Sequence, residues 1–239
     1  MDKKKLFLEQ QRRWGNTVWL PFTTATAQEE PREAPETETP SNLPALGKKE
    51  MLSEIAGFIN TCRNCGLGKT RTKAVPGEGS PDARLMFVGE APGQSEDIQG
   101  RPFVGKAGQL LTKMIENGLK MSRKDVFICN ILKCRPPDNR DPSPQESETC
   151  IKYLRDQVKV IAPEVICCLG RVAARNILKT EESTGRLRGR VHLRGNSKII
   201  VTYHPSYLLR NESAKKSAWE DLKLVMKVLN NEKTREKKS

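Results

Sequence analysis

The sequence predicts an α/β protein built on a central, mostly parallel four-stranded sheet, and two patterns carry that expectation. Short apolar runs suited to buried strands alternate with stretches whose apolar residues recur at helical spacing. Polar, chemistry-bearing residues stand where the runs end, the edge at which parallel sheets bind ligands. In order, Leu52, Ile55 and Ile59 define an amphipathic helix over 49–60 that delivers Cys62 and Cys65 at its C-terminal end. The run 84–89 is the first strand. Leu110, Leu111, Met114, Ile115 and Leu119 then line one face of a helix over 106–119. The second strand is 126–131. Ser143-Pro144-Gln145-Glu146 reads as a helix start, with serine as cap, proline at the first position and glutamate at the third. That helix carries Cys150, Ile151, Leu154 and Val158. Residues 165–169 form the third strand, closed by Gly170 and a helix through Leu178. Residues 188–194 and 198–203 form a hairpin around Gly195-Asn196-Ser197, its second arm running into His204. A last helix covers about 214–230.

Composition bounds the function. The chain has 239 residues, with 42 lysines and arginines against 29 acids and a formal charge of +13. So basic a protein is expected to meet a polyanion, nucleic acid being the commonest. Seven cysteines are an odd number, and Cys129, Cys167 and Cys168 fall in apolar runs, which points to a reducing compartment rather than a disulfide framework. No stretch approaches the ~20 apolar residues of a membrane span, and the lysine-rich start is followed by no apolar leader. A cytoplasmic protein with no membrane partner is expected. Organisation follows charge: an aromatic extension over 1–27 with Phe7, Trp14, Trp19 and Phe22, an acidic proline-rich linker over 28–48, a globular domain over 49–230, and a polar tail over 231–239. The extension reads either as a docking peptide for a protein partner or as a flap on the domain.

Four cysteines stand apart from the apolar ones. Cys62-x2-Cys65 and Cys134-x15-Cys150 come from a helix end, a proline-rich loop and a helix, and a metal or cluster would pin those pieces together. Four thiolates with no nearby histidine suit tetrahedral zinc or a cubane cluster, and spacing alone leaves both open.

The strand exits are chemically loaded. The first leads into Glu90, then Glu96 and Asp97; the second ends at Asn130; the last ends at His204, one of only two histidines. A carboxylate, an amide and an imidazole from three strands are expected to meet at one edge.

Gly89-Glu90-Ala91-Pro92-Gly93, Gly100-Arg101-Pro102-Phe103-Val104-Gly105, Asn130-x2-Lys133-Cys134-Arg135-Pro136-Pro137 and His204-Pro205-Ser206-Tyr207-Leu208-Leu209-Arg210 resemble the motifs of the family 4 (type-4, iron–sulfur) uracil-DNA glycosylases, in family order and over about residues 49–230. The resemblance implies a three-layer α/β/α fold, a 4Fe-4S cluster held by Cys62, Cys65, Cys134 and Cys150, and a monofunctional glycosylase of base excision repair. It leaves residues 1–45 unexplained. A monomer acting on uracil-containing DNA is expected.

The residues fit such chemistry. A flipped uracil needs a platform, and Phe103 in its glycine-rich loop is the candidate. Distinguishing uracil from cytosine needs a group that accepts from N3–H and donates to O4, which an amide at Asn130 does. His204 is placed to donate to O2 as negative charge builds on the departing base. A carboxylate must position or activate water, with Glu90 first and Glu96 or Asp97 in reserve. Ala91 and Pro92 bring small residues and backbone against the base. Leu208 or Leu209 would fill the gap left by the flipped base, and Arg210 and Arg135, with Arg140, Arg186, Arg188 and Arg190, would meet phosphates. Three other readings compete. A non-catalytic single-strand-binding module explains the charge but not the strand-end triad, and an iron–sulfur electron carrier explains the cysteines but not the basic surface. A sister branch that bonds covalently to uracil uses a histidine-containing insert that Gly100 to Gly108 lacks.

Overall fold

The computed structural model describes residues 46–236, with side chains through Asn231, so the expected extension and nearly all of the acidic linker lie outside the described residues. The apolar runs become strands β1 (Glu78–Gly79), β2 (Leu85–Gly89), β3 (Phe127–Asn130), β4 (Val165–Leu169), β5 (Val191–Arg194) and β6 (Ser197–Thr202), in the sheet order β1-β3-β2-β4-β6-β5. The four inner strands β3, β2, β4 and β6 run parallel, and β1 and β5 pair antiparallel on the two edges.

The sheet is therefore mixed and six-stranded, which corrects the expected four. β5 is the first arm of the hairpin expected over 188–194 and 198–203, pairing antiparallel with β6, whereas β1 gives a weak sequence signal for a physical reason. β1 is only two residues long and is flanked and ended by Gly77 and Gly79, at φ 123° and 135°. A side chain at Gly79 would sit 1.9 Å from the Val126 carbonyl oxygen, so the close pairing of this edge depends on glycine. β5 lies on the far edge with Leu193 74% exposed.

Helices cover both faces. They are α1 (Lys48–Thr61), α2 (Leu67–Thr70), α3 (Gln94–Gln99), α4 (Lys106–Lys113), α5 (Pro144–Ile161), α6 (Arg171–Leu178), α7 (Thr184–Leu187), α8 (Pro205–Arg210) and α9 (Ala214–Glu236). Successive strand residues point to opposite faces. Met86 and Val88 pack with Ile151, Leu154 and Val158 of α5 and with Ala173 and Ile177 of α6. Leu85 and Phe87 pack with Leu111, Ile115, Leu222 and Val225 on the other side. Burying strands on both faces is what makes their sequences uniformly apolar.

Local signals behave as their chemistry requires. Ser143 accepts from the Glu146 N–H while Glu146 accepts from the Ser143 N–H, closing the capping box that starts α5. The helix expected over 106–119 is α-helical only to Lys113 and then widens into a π turn, Met114–Leu119. There Gly118 lets Trp219 of α9 approach, a tertiary fit invisible to periodicity. The last helix, expected to about 230, continues to Glu236. A separate small core of Met51, Ile55, Ile59, Ala74 and Val160 seats α1 against α5 and so fixes where Cys62 emerges.

Candidate active site

The register of the sheet sets two of the functional side chains side by side. Gly89, the last residue of β2, pairs with Asn130, the last of β3, so Glu90 and Asn130 leave adjacent strands at the same carboxyl edge. β6 lies beyond β4, and its exit places His204 as the N-cap of α8. Glu90, Ala91, Pro92, Phe103, Asn130 and His204 line one cavity of about 230 Å³, with Glu96 and Ser206 at its wall. The three expected strand-end groups meet there, together with the expected platform.

Each group has a defined state. Asn130 is 1% exposed, and its side-chain oxygen has no hydrogen-bond partner. A buried amide oxygen left open costs about 1–3 kcal/mol, which a ligand donor would recover. Nδ1 of His204 accepts from the Ser206 N–H at 3.1 Å and lies 2.8 Å from the Ser206 hydroxyl. A backbone N–H only donates, so Nδ1 is unprotonated and the proton of the neutral ring sits on Nε2. Burial, assisted by the Arg210 charge, lowers the His204 pKa from 6.5 to about 4, so the ring is neutral at pH 7. Burial also raises the Glu90 carboxyl above the usual 4.5, reinforced by Asp141 and opposed by Arg171.

The platform is built from both sides. Phe103 is 5% exposed and holds φ 52°, an uncommon conformation for an aromatic residue. One oxygen of Glu96 accepts the N–H groups of Val104 and Gly105 at 2.8 and 2.9 Å, while Arg123 donates to the Pro102 carbonyl at 2.7 Å. Arg123 is itself held by Glu78 and Thr112. A side chain at Gly89 would meet Phe103 at 2.5 Å and Asn130 at 2.4 Å, and one at Gly108 would meet the Phe103 backbone at 1.9 Å. Both glycines are required for the ring to close over Asn130. The Phe103 ring centroid lies 5.7 Å from that of His204, tilted by 36°.

Other expected residues sit differently. Asp97 turns away from the cavity and spends both oxygens on the Thr72 N–H. Leu208 is 2% exposed and packs inward, whereas Leu209 is 46% and Tyr207 40% exposed. The expectation that Leu208 meets DNA is thereby corrected: a single turn of helix can present one leucine to the core and its neighbour to solvent, and sequence did not say which. Arg188 is bound to buried Asp221, Arg140 to Glu146 and Arg190 to Glu182, so these three serve carboxylates first. Arg210 is exposed near the cavity mouth, and Arg135 bonds Asn139 at 2.9 Å. Sequence reasoning gave no role to Ser206, Arg123 or Glu78. Ser206 was legible as the neighbour of a histidine, but nothing local marks Arg123, which acts on a loop 21 residues away.

Cys62, Cys65, Cys134 and Cys150 line a second, tight cavity with Arg71, Lys133 and Tyr153. The thiols do not crowd onto one point, since among the described residues no three His, Cys, Asp or Glu side chains stand close enough for a single ion. They frame a shared space. Donors already aim at the sulfurs, Arg71 at Cys134 from 2.9 Å and the Lys133 N–H at Cys150 from 3.4 Å, as thiolates require. The donor set therefore fits a multi-thiolate group. Lys133, 1% exposed, bonds the Asn130 carbonyl at 2.9 Å and Gln157 at 2.8 Å, joining this corner to the base cavity. Cys129, Cys167 and Cys168 are fully buried in strands, and burial pushes their thiols up, as inert core groups.

At the carboxyl edge of the four parallel inner strands, Phe103 and the open amide of Asn130 line one cavity. The uracil DNA glycosylase superfamily profile matches residues 76–223. A type-4 uracil-DNA glycosylase of Archaeoglobus fulgidus is 45% identical over 184 residues, spanning 74% of this chain and 92% of the relative. One from Thermotoga maritima is 44% identical over 169 residues, 70% of this chain and 87% of its own. A type-5 uracil-DNA glycosylase of Pyrobaculum aerophilum is 32% identical over 152 residues, 57% and 67% of the two chains. The chain belongs to the uracil DNA glycosylase superfamily and, within it, to the type-4 group. Among the described residues, no helix is long and apolar enough to cross a membrane.

Proposed function

We propose that this protein hydrolyses the N-glycosidic bond of uracil in DNA, releasing free uracil and leaving an abasic site for base excision repair. The observation that carries the reading is the open amide oxygen of Asn130, buried beneath Phe103 in a cavity of about 230 Å³. In this reading the uracil nucleotide is flipped out of the stack, and its ring lies against Phe103. Asn130 accepts from N3–H and donates to O4, and cytosine, which reverses both groups, leaves the amide mismatched. As the bond breaks, the neutral His204 donates through Nε2 to uracil O2, where negative charge develops. Glu90 orients or deprotonates the water that attacks C1′, its raised pKa suiting a base. Glu96 holds the Phe103 loop in this scheme rather than the water, because its Oε1 is taken by two backbone N–H groups. Leu209, with Tyr207, takes the gap-filling role, and Arg210 and Arg135 contact phosphates.

Cys62, Cys65, Cys134 and Cys150 would hold the 4Fe-4S cluster of the type-4 group. When bound, it supplies a rigid cross-link among α1, the loop after β3 and α5. The glycosidic hydrolysis needs no electrons, and the residues above carry it.

The test is incubation with a uracil-containing oligonucleotide, with and without alkali. Wild type should leave an abasic site that alkali cleaves, and His204→Ala should release uracil about 10²–10³ times more slowly. Binding by wild type without any uracil release would instead favour the non-catalytic strand-binding module.

A further inference from the structure

The cations that sequence marked for DNA are largely committed to acids, whereas Arg63, Arg71 and Lys73 pair with none among the described residues. Arg63, Arg71, Lys73 and Arg101 line a cavity of about 650 Å³ between the α1 end, the 71–77 segment and Gly100, with Glu78 as its lining carboxylate. Glu78 is already shared by Arg101, at 2.8 Å, and Arg123, at 2.9 Å. Arg63 donates to the Gly68 carbonyl, and Arg71 to the Asn60 carbonyl and the Cys134 sulfur. Among the described residues, no carboxylate stands within ion-pair distance of Arg63, Arg71 or Lys73. Asp97, bonded to the same segment, gives both oxygens to the Thr72 N–H. The wall is thus a concave surface with excess positive charge, held in shape by backbone contacts that leave its charge uncompensated.

Its place matters as much as its charge. The loop from Gly100 to Gly105 divides it from the base cavity: Gly100 and Arg101 line this cavity, and Phe103 lines the other. Two residues of chain span at most ~7 Å, so along this loop the wall begins within about a nucleotide's length of the residue that lines the base cavity. Gly100, at φ 74°, lets Lys73 lie against the loop, where a side chain would meet the Lys73 stem at 3.4 Å.

We propose that this cavity is a second nucleic-acid site, in which Arg63, Lys73 and Arg101 hold backbone phosphates of the strand flanking the flipped uracil. The site rests on the uracil-glycosylase reading for its substrate but adds a track beside the cysteine corner, away from Arg210 and Leu209. Arg71 bridges that track to Cys134, so the corner that orders the thiols also shapes the phosphate wall.

The full chain tests this as Lys73→Gln and Lys73→Gln/Arg101→Gln, alongside wild type. Affinity for a long uracil-containing single strand is read by fluorescence anisotropy across a salt series, and uracil release is read on the same samples. Each lost phosphate contact should lower the slope of log affinity against log salt by ~0.7. The double variant should bind the long strand roughly tenfold more weakly at low salt, keep the wild-type release rate at saturation, and bind free uracil, which has no phosphate, as wild type does. Unchanged slopes would overturn the site, as would an equal loss of free-uracil binding, which would mean damage to the base pocket. Inorganic pyrophosphate should compete with the long strand in wild type and lose that effect in the double variant. Competition without any change in strand affinity would mark a free-anion site and overturn the strand track. Absence of uracil release by wild type would fault the glycosylase reading alone, since the salt slopes are measured by binding.

Discussion

Asn130, the last residue of β3, and Cys134, in the loop after it, stand four residues apart, yet their surroundings obey opposite rules. Around Asn130 the packing is tight and a polar atom is left open: glycine at 89 and 108 is required, and the amide oxygen has no partner. Around Cys134 the bonding is complete: Lys133 is buried but bonds Asn130 and Gln157, Gln157 bonds the Pro76 carbonyl at 2.7 Å, and Arg71 reaches the sulfur. A folded protein tolerates an open buried group where a ligand will close it, and closes most groups where only structure is at stake. The base cavity should therefore respond to mutation through rate and specificity, and the cysteine corner through stability.

The largest effect that would break this contrast lies in the base cavity. His204→Ala and Glu90→Gln should each slow single-turnover uracil release by about 10²–10³-fold, with thermal midpoints close to wild type. A fall in stability matching the fall in rate would erase the distinction. At the corner the reverse is expected: Cys134→Ser should lower the melting temperature by roughly 10 °C and remove any visible absorbance of a bound cluster. The molecules that stay folded should still bind a uracil-containing strand.

Leu208 and Leu209 sharpen the contrast within a single turn of helix. Leu208→Ala should cost about 2–5 kcal/mol of stability as a core truncation. Leu209→Ala should leave stability nearly unchanged and weaken binding to uracil-containing duplex, as measured by denaturation and by affinity on the same preparations. Lys133→Met tests the joint between the regions. It leaves the Asn130 carbonyl and the Gln157 side chain short of a donor, at about 1–3 kcal/mol each, and should lower discrimination between uracil and cytosine in proportion.

The pH profile is the smallest and most specific check. Acidification should first protonate Glu90, whose pKa is raised, so release should fall along an acid limb centred above 4.5. His204 stays neutral until pH falls to about 4, so no inflection should occur near 6.5. Glu90→Gln should remove the acid limb. An inflection near 6.5 that His204→Ala abolishes would mean that the imidazolium is the working form.

Much of this was readable from residues alone. The four parallel strands, the capping box at Ser143 and the meeting of Glu90, Asn130, Phe103 and His204 follow from apolar runs and the polar residues that end them. What escaped the sequence depends on packing in three dimensions. A two-residue edge strand has no periodicity, and the π turn sits where Gly118 packs against Trp219 of a distant helix. Which leucine of Leu208 and Leu209 faces inward depends on how α8 lies on the sheet. Arginines look alike in sequence, and only the fold shows that Arg188 belongs to Asp221 while Lys73 pairs with no acid among the described residues.

The most direct test of the central claim is an NMR titration of the Asn130 side-chain amide with free uracil and with cytosine. Uracil should shift the amide resonances strongly and slow their exchange with solvent, while cytosine leaves them near their starting positions. Equal responses to the two bases, or none to uracil, would contradict the assignment of Asn130 as the group that reads the base.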